Sequence, residues 1–313
     1  MRKEKIFSMI ILLFGMLLSA FRNQDLAVAG VTPGSDSVTT LTTIPQPADD
    51  PTAGSTRVSE ADQMEQVFVP AGEFIMGSTD IEAKQTIEGG RAYPEVPQNT
   101  VYLDGYWIDK YEVTNGQYAL CVADGDCQPP FTFGSHTRKS YYDNPEFSDY
   151  PVVWVKWGMA RAYCEWAGRR LPTEAEWEKA ARGTDGQKYT WGDDPVSGER
   201  ANLCDANCPK SWANFNFDDG YADTAPVGSF PAGASPYGVM DMAGNVWEWT
   251  GTLIQDYPYD PSDGREDLDA SGERSWRSGA WNDGYWWMRA SVRYRSVPNY
   301  WYYNLGFRCA SSE

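Results

Sequence analysis

All 14 tryptophans of this 313-residue chain lie after residue 63, between Trp107 and Trp301, set among tyrosine, glycine, asparagine and aspartate rather than in long apolar runs. Neither the helical nor the strand period is sustained for long in such a sequence, so a few long helices or one regular sheet are excluded. Bulky rings punctuated by turn-forming residues predict many short elements joined by ordered loops. The stretch from Met64 to Glu313 suits one large domain.

What precedes it has a different character. The opening "MRKEKIFSMIILLFGMLLSAFRNQDLAVAG" carries a basic start, an apolar run from Ile6 to Phe21 and a small Ala27-Val28-Ala29 triplet. That pattern predicts a signal peptide over residues 1–30, cleaved on export to the periplasm or outside the cell. The apolar run is short for a spanning helix, so an uncleaved anchor is the weaker reading. Residues 31–63 are rich in Thr, Ser, Pro and Asp and nearly free of aromatics. They hold too little apolar surface to offset the entropy of ordering, and a disordered linker is expected.

The formal net charge is −18. Loss of the leader, with four basic residues against two acidic ones, makes the balance more negative still. Such a surface argues against nucleic acid and against anionic lipid, which both need clustered Lys and Arg. It is well supplied with oxygen ligands for a hard divalent cation.

Two capping boxes, Thr114 with Gln117 and Thr173 with Glu176, mark helix starts, and Gly183 marks a stop. Between them Trp157, Ala160, Cys164 and Ala167 form a stripe at helical spacing. "QVFVPAGEFIMGS" reads as a hairpin between Val67 and Met76, turning at Gly72, and "VYLDGYWIDKYEV" as a second strand pair. Six cysteines in an oxidising compartment suggest disulfides. Cys121 with Cys127 and Cys204 with Cys208 are close in sequence; if all six pair, Cys164 and Cys309 close the long loop.

The blocks "VFVPAGEFIMGS", "YEVTNGQY", "PVVWVKWGMARAYCEWAGRRLPTEAEWEKAARG", "TAPVGSFPAGASPYGVMDMAGNVWEWT" and "NLGFRCA" resemble, in order, those of the sulfatase-modifying-factor family, the formylglycine-generating-enzyme type of domain. The resemblance runs from about Gln66 to Ala310. It implies an α+β fold, C-type-lectin-like, with limited regular secondary structure. It also implies structural calcium at two sets of oxygens. One is Asp241, the carbonyls of Gly244 and Val246, and Glu248. The other is Asn202, the Leu203 carbonyl, Asp219 and the Tyr221 carbonyl.

Enzymes of this family oxidise a sulfatase cysteine to formylglycine with copper(I) held by two cysteines ahead of a "YRYR" tail. Aligning "VRYR" at residues 292–295 with that tail puts Trp286 and Ser291 at the cysteine positions, and neither supplies the soft thiolate that copper(I) prefers. No catalytic residue is therefore assigned, and copper is not expected. Ser291 as a nucleophile would have only His136 as a histidine base. A sulfoxide-synthase branch of the family needs histidines and an added domain that this chain lacks, and a branch that matures siderophore chromophores is not distinguished by any residue here.

In "WNDGYWWMRASVRYR", residues 281–295, strand alternation would put Arg289, Ser291, Arg293 and Arg295 on one face, where they would pair with carboxylates, and Ala290, Val292 and Tyr294 on the other. The surrounding Trp281, Tyr285, Trp286, Trp287, Tyr300, Trp301, Tyr302 and Tyr303 are too many for one core layer, so some should line a groove. Aromatic faces beside arginines suit stacking and cation–π contacts. Trp286, Trp287, Arg289, Arg293 and Tyr300 are the expected ligand-binding residues. The expectation is an exported binding or accessory module for a peptide or glycan, with formylglycine-generating oxidation as the alternative.

Overall fold

A computed structural model of the chain describes residues 51–79 and 95–312. The expected leader and all but the last part of the expected linker lie outside the described residues. That last part is folded. Strand β1, Thr56–Val58, pairs with β2, Glu65–Val69, and the Asp62 carboxylate is buried against Arg169. The domain therefore starts ahead of Met64, because a polar segment can be held by sheet pairing and a buried ion pair without apolar side chains of its own.

The expected hairpin at Gly72 does not form. Strand β3, Gly72–Met76, pairs with β4, Asn99–Leu103, while β2 pairs with β5, Tyr106–Asp109. The register is continuous across the break: Val69 faces Tyr106, and three residues on, Gly72 faces Leu103. Residues 66–76 and 99–109 thus form one kinked antiparallel ribbon, not two hairpins. Gly72, at φ +141°, takes the kink. The last strand, β10 (Ala310–Ser312), pairs with the other edge of β5 and completes a sheet of order β1-β2-β5-β10.

Helix α1, Asn115–Asp124, and helix α3, Glu174–Arg182, both start at the expected capping boxes with the reciprocal hydrogen bonds made. Helix α2, Trp157–Trp166, buries Trp157, Ala160 and Cys164 as the stripe requires. The second four-stranded sheet has order β8-β7-β6-β9, with β6 at Trp247–Leu253, β7 at Arg274–Arg277, β8 at Tyr294–Ser296 and β9 at Leu305–Phe307. Only β6 and β9 run parallel within it. From Gly183 to Val246 the backbone is loops, turns and one short 3-10 turn, as the punctuated composition predicts.

The largest apolar cluster joins Trp157, Tyr163, Trp249, Trp276 and Phe307 between α1, α2 and the second sheet. The disulfide Cys164–Cys309 ties α2 to the β9–β10 connection, and Cys121–Cys127 and Cys204–Cys208 close the two short loops. Helix α3 is buried on every side although five of its nine residues are charged. Its charges are met by partners from elsewhere and by one pair within the helix: Glu174 by Arg293, Glu178 by Arg277 and by Arg182 one turn on, and Lys179 by the carbonyls of Pro70 and Gly72. Buried charge persists only with such pairing.

Candidate ligand-binding site

A cavity of about 690 Å³ opens at one end of the second sheet. Its rear wall is Trp247 from β6, Trp276 from β7 and Tyr294, Arg295 and Ser296 from β8. Its rim is the 3-10 turn Tyr285–Met288, which brings Trp286 and Trp287, together with Trp212, Tyr300 and Tyr302 from loops. Asn282, Asp283, Gly284 and Asn304 supply the remaining lining. The volume falls in the range of small-molecule sites.

The rear wall is rigid because its rings pack on one another. Trp276 lies 5.4 Å from Tyr294 and 5.5 Å from Tyr300 between centroids, and Trp247 lies 5.8 Å from Trp287. Asp283 Oδ2 accepts a 2.7 Å hydrogen bond from Trp247 Nε1, which fixes both side chains. Burial pushes the Asp283 carboxyl up to about 7, against the opposing effect of that hydrogen bond. Behind it the Cys204 amide donates to the Asp283 carbonyl, so the Cys204–Cys208 loop braces the cavity floor.

Trp286, Trp287 and Tyr300 line the cavity as expected, but Arg289 and Arg293 do not. Both are sealed in the interior, Arg289 against Glu95 and Arg293 against Glu174 with two hydrogen bonds. Pairing of the arginine row with carboxylates is thus correct, and their assignment to ligand binding is not. An unpaired guanidinium would be costly to bury, and the excess carboxylates meet it inside. Arg295 is the member of the row that reaches the cavity, held 2.9 Å from Glu273.

Ser291 is likewise buried, its Oγ 2.7 Å from Ser78 Oγ. It lies outside the lining that includes Trp286, so the two aligned cysteine positions do not face one cleft. His136 neighbours Lys210, Trp281 and Tyr303 instead. No cysteine lines the cavity, and all six cysteines of the chain are in disulfides. The residues present do not fit a thiolate copper centre. Trp247, Trp276, Asp283 and Asn304 escaped the sequence reading because only folding brings β6, β7 and the last loop together.

Of the oxygen sets, the second fits a calcium ion better. Asn202 Oδ1 is buried without a hydrogen-bond partner, and no basic side chain among the described residues pairs with Asp219. Burial raises the Asp219 carboxyl to about 8, the mark of an acid short of positive charge. In the first set Asp241 Oδ1 is also unpartnered, but both Glu248 oxygens are taken by Arg308, and Trp177 Nε1 bonds one of them. The two sets adjoin, since the Asn245 amide donates to the Asn202 carbonyl, and a Cβ at Gly244 would lie 2.1 Å from that oxygen.

Fold and site define an α+β domain, tied by disulfides, with one end of its second sheet opened into a tryptophan-walled cavity. Residues 52–313 match the family model described as the sulfatase-modifying factor enzyme 1-like domain. The chain belongs to that family. It is 34% identical over 293 residues to a formylglycine-generating enzyme of Streptomyces coelicolor, covering 79% of this chain and 88% of the relative. It is 32% identical to the inactive C-alpha-formylglycine-generating enzyme 2 of Mus musculus, over 82% and 88% of the two chains. PvdO from Pseudomonas aeruginosa superposes with a TM-score of 0.67 at 28% identity, over 84% of this chain and all of that one.

Proposed function

We propose that this chain is an exported binding or accessory member of the family, which holds a peptide or glycan in the tryptophan-walled cavity without copper-dependent oxidation. The observation that carries this reading is the fate of the cysteines: all six are in disulfides and none lines the cavity. Copper(I) titration of the protein, with oxygen consumption followed in the presence of a Cys-x-Pro-x-Arg peptide, tests it. No stoichiometric copper and no peptide-dependent uptake are expected. Copper binding with uptake would favour the second reading, a formylglycine-generating oxidase, which the 34% identity to the Streptomyces coelicolor enzyme supports.

The same proposal gives the domain a structural calcium at Asn202, Leu203, Asp219 and Tyr221. A hard cation there would take up the free Asn202 oxygen, would favour the ionised form of the half-buried Asp219 carboxyl, and would pin two loops that have no regular structure of their own. Chelation is expected to lower the melting temperature, with calcium restoring it. An unchanged midpoint and no calcium by elemental analysis would remove this assignment. Export agrees with the leader pattern, and no helix among the described residues is long and apolar enough to cross a membrane.

A further inference from the structure

We propose that Asp283 is the charged anchor of the cavity and that it holds the ammonium group of a lysine side chain presented by a bound peptide; this rests on the reading of the cavity as the binding site. The acids buried around helix α3 and β6 are matched by arginines, as Glu174 is by Arg293, Glu178 by Arg277 and Glu248 by Arg308. Asp283 is not sealed in this way. It lines the cavity, is half-buried, and has no basic partner among the described residues. Its carboxyl, raised to about 7 by burial, is short of positive charge. Arg295, the basic residue of the lining, is already held by Glu273.

The geometry also selects among cations. Oδ2 is committed to Trp247 Nε1 at 2.7 Å, so the carboxylate does not offer two free oxygens to the parallel fork of a guanidinium. An ammonium is a point charge and needs one. The lining beside Asp283 includes Trp247, Trp276, Trp286 and Trp287, and suits the rest of a lysine: its four-carbon stem buries against rings, whose faces favour a cation over an anion. An anionic group would face Asp283 and a chain of net charge −18, and that same charge draws cations to the surface. A neutral hydroxyl would bond the carboxylate but leave its charge unmatched.

Calorimetry and tryptophan fluorescence would compare capped Gly-Lys-Gly, Gly-Arg-Gly and Gly-norleucine-Gly peptides, and chitotriose, on the protein and on Asp283→Asn and Trp286→Ala. Norleucine keeps the stem and lacks the amine. The lysine peptide is expected to bind about tenfold or more tighter than the norleucine one, the worth of one charge-assisted hydrogen bond. D283N, whose amide oxygen still accepts from Trp247, is expected to erase that preference. A preference for lysine that D283N leaves intact would overturn the assignment to Asp283, and arginine binding as tightly as lysine would overturn the choice of an ammonium. If the norleucine peptide or chitotriose binds no more weakly than the lysine peptide, and loses that binding in W286A, the ammonium inference falls while the cavity remains the binding site. If no probe binds, both fall. The comparison of lysine with norleucine uses the unaltered protein, so it decides the matter even where D283N fails to fold.

Discussion

Gly284 shows how a single residue shapes the cavity. Its backbone is ordinary, at φ −73°, but a Cβ there would come within 2.6 Å of the Trp286 ring. Trp286 is half-buried at the cavity and packs on Tyr285, so Gly284→Ala should displace the ring at little cost to the core. Ligand affinity is expected to fall severalfold while thermal stability changes by less than about 1 kcal/mol, as for substitutions away from the core; equal loss of both would place Trp286 in the core. Glu266 makes a different residue-scale case. Burial beside Glu174 and Glu176 raises its carboxyl to about 7 despite hydrogen bonds from Tyr259 and Thr252. The folded protein therefore keeps a proton that the unfolded chain loses above its ordinary range, and stability falls as pH rises from about 4.5 to 7. Glu266→Gln should remove that slope, gaining about 1–3 kcal/mol on the parent across the window, as read from denaturant unfolding at each pH. Parallel curves for the two proteins would contradict it.

At the scale of elements, helix α3 is the instructive one. Its start was legible because a capping box is local, with Thr173 and Glu176 three residues apart. Its burial was not, because "EAEWEKAAR" has the composition of a solvated helix and the partners of its charges come from β7 and from the segment before β8. Glu178→Gln should leave Arg277 buried without its close carboxylate and destabilise the fold by about 3–5 kcal/mol. A loss below about 1 kcal/mol in denaturant unfolding would show that Glu174, 3.6 Å from Arg277, carries the charge instead. The ribbon repeats the lesson. Strands β2 to β5 were legible as apolar segments, but a Gly72 kink and a Gly72 turn look alike until the partner strand is known.

Across the whole molecule, the sequence determined what depends on near neighbours or on long motifs. The two helix caps, the short disulfide loops, the scarcity of regular structure and membership of the family all follow from residues close in the chain. The pairing of Cys164 with Cys309 also emerged once the other two pairs were made. The strand expected over Arg289–Arg295 forms only at Tyr294–Ser296, with a turn at residues 290–291; Arg289, Ser291 and Arg293 are still buried among polar partners and Ala290 and Val292 in apolar clusters. Only the tertiary structure decided that both sides of that segment are covered. Period-two alternation says which residues travel together, not what lies opposite them. Here α3 and Glu95 cover the arginine side, and the cavity forms instead where β6, β7 and β8 present tryptophan and tyrosine to the 3-10 turn. Its walls come from segments as far apart as Trp212 and Asn304, brought together by long-range packing that no local pattern encodes.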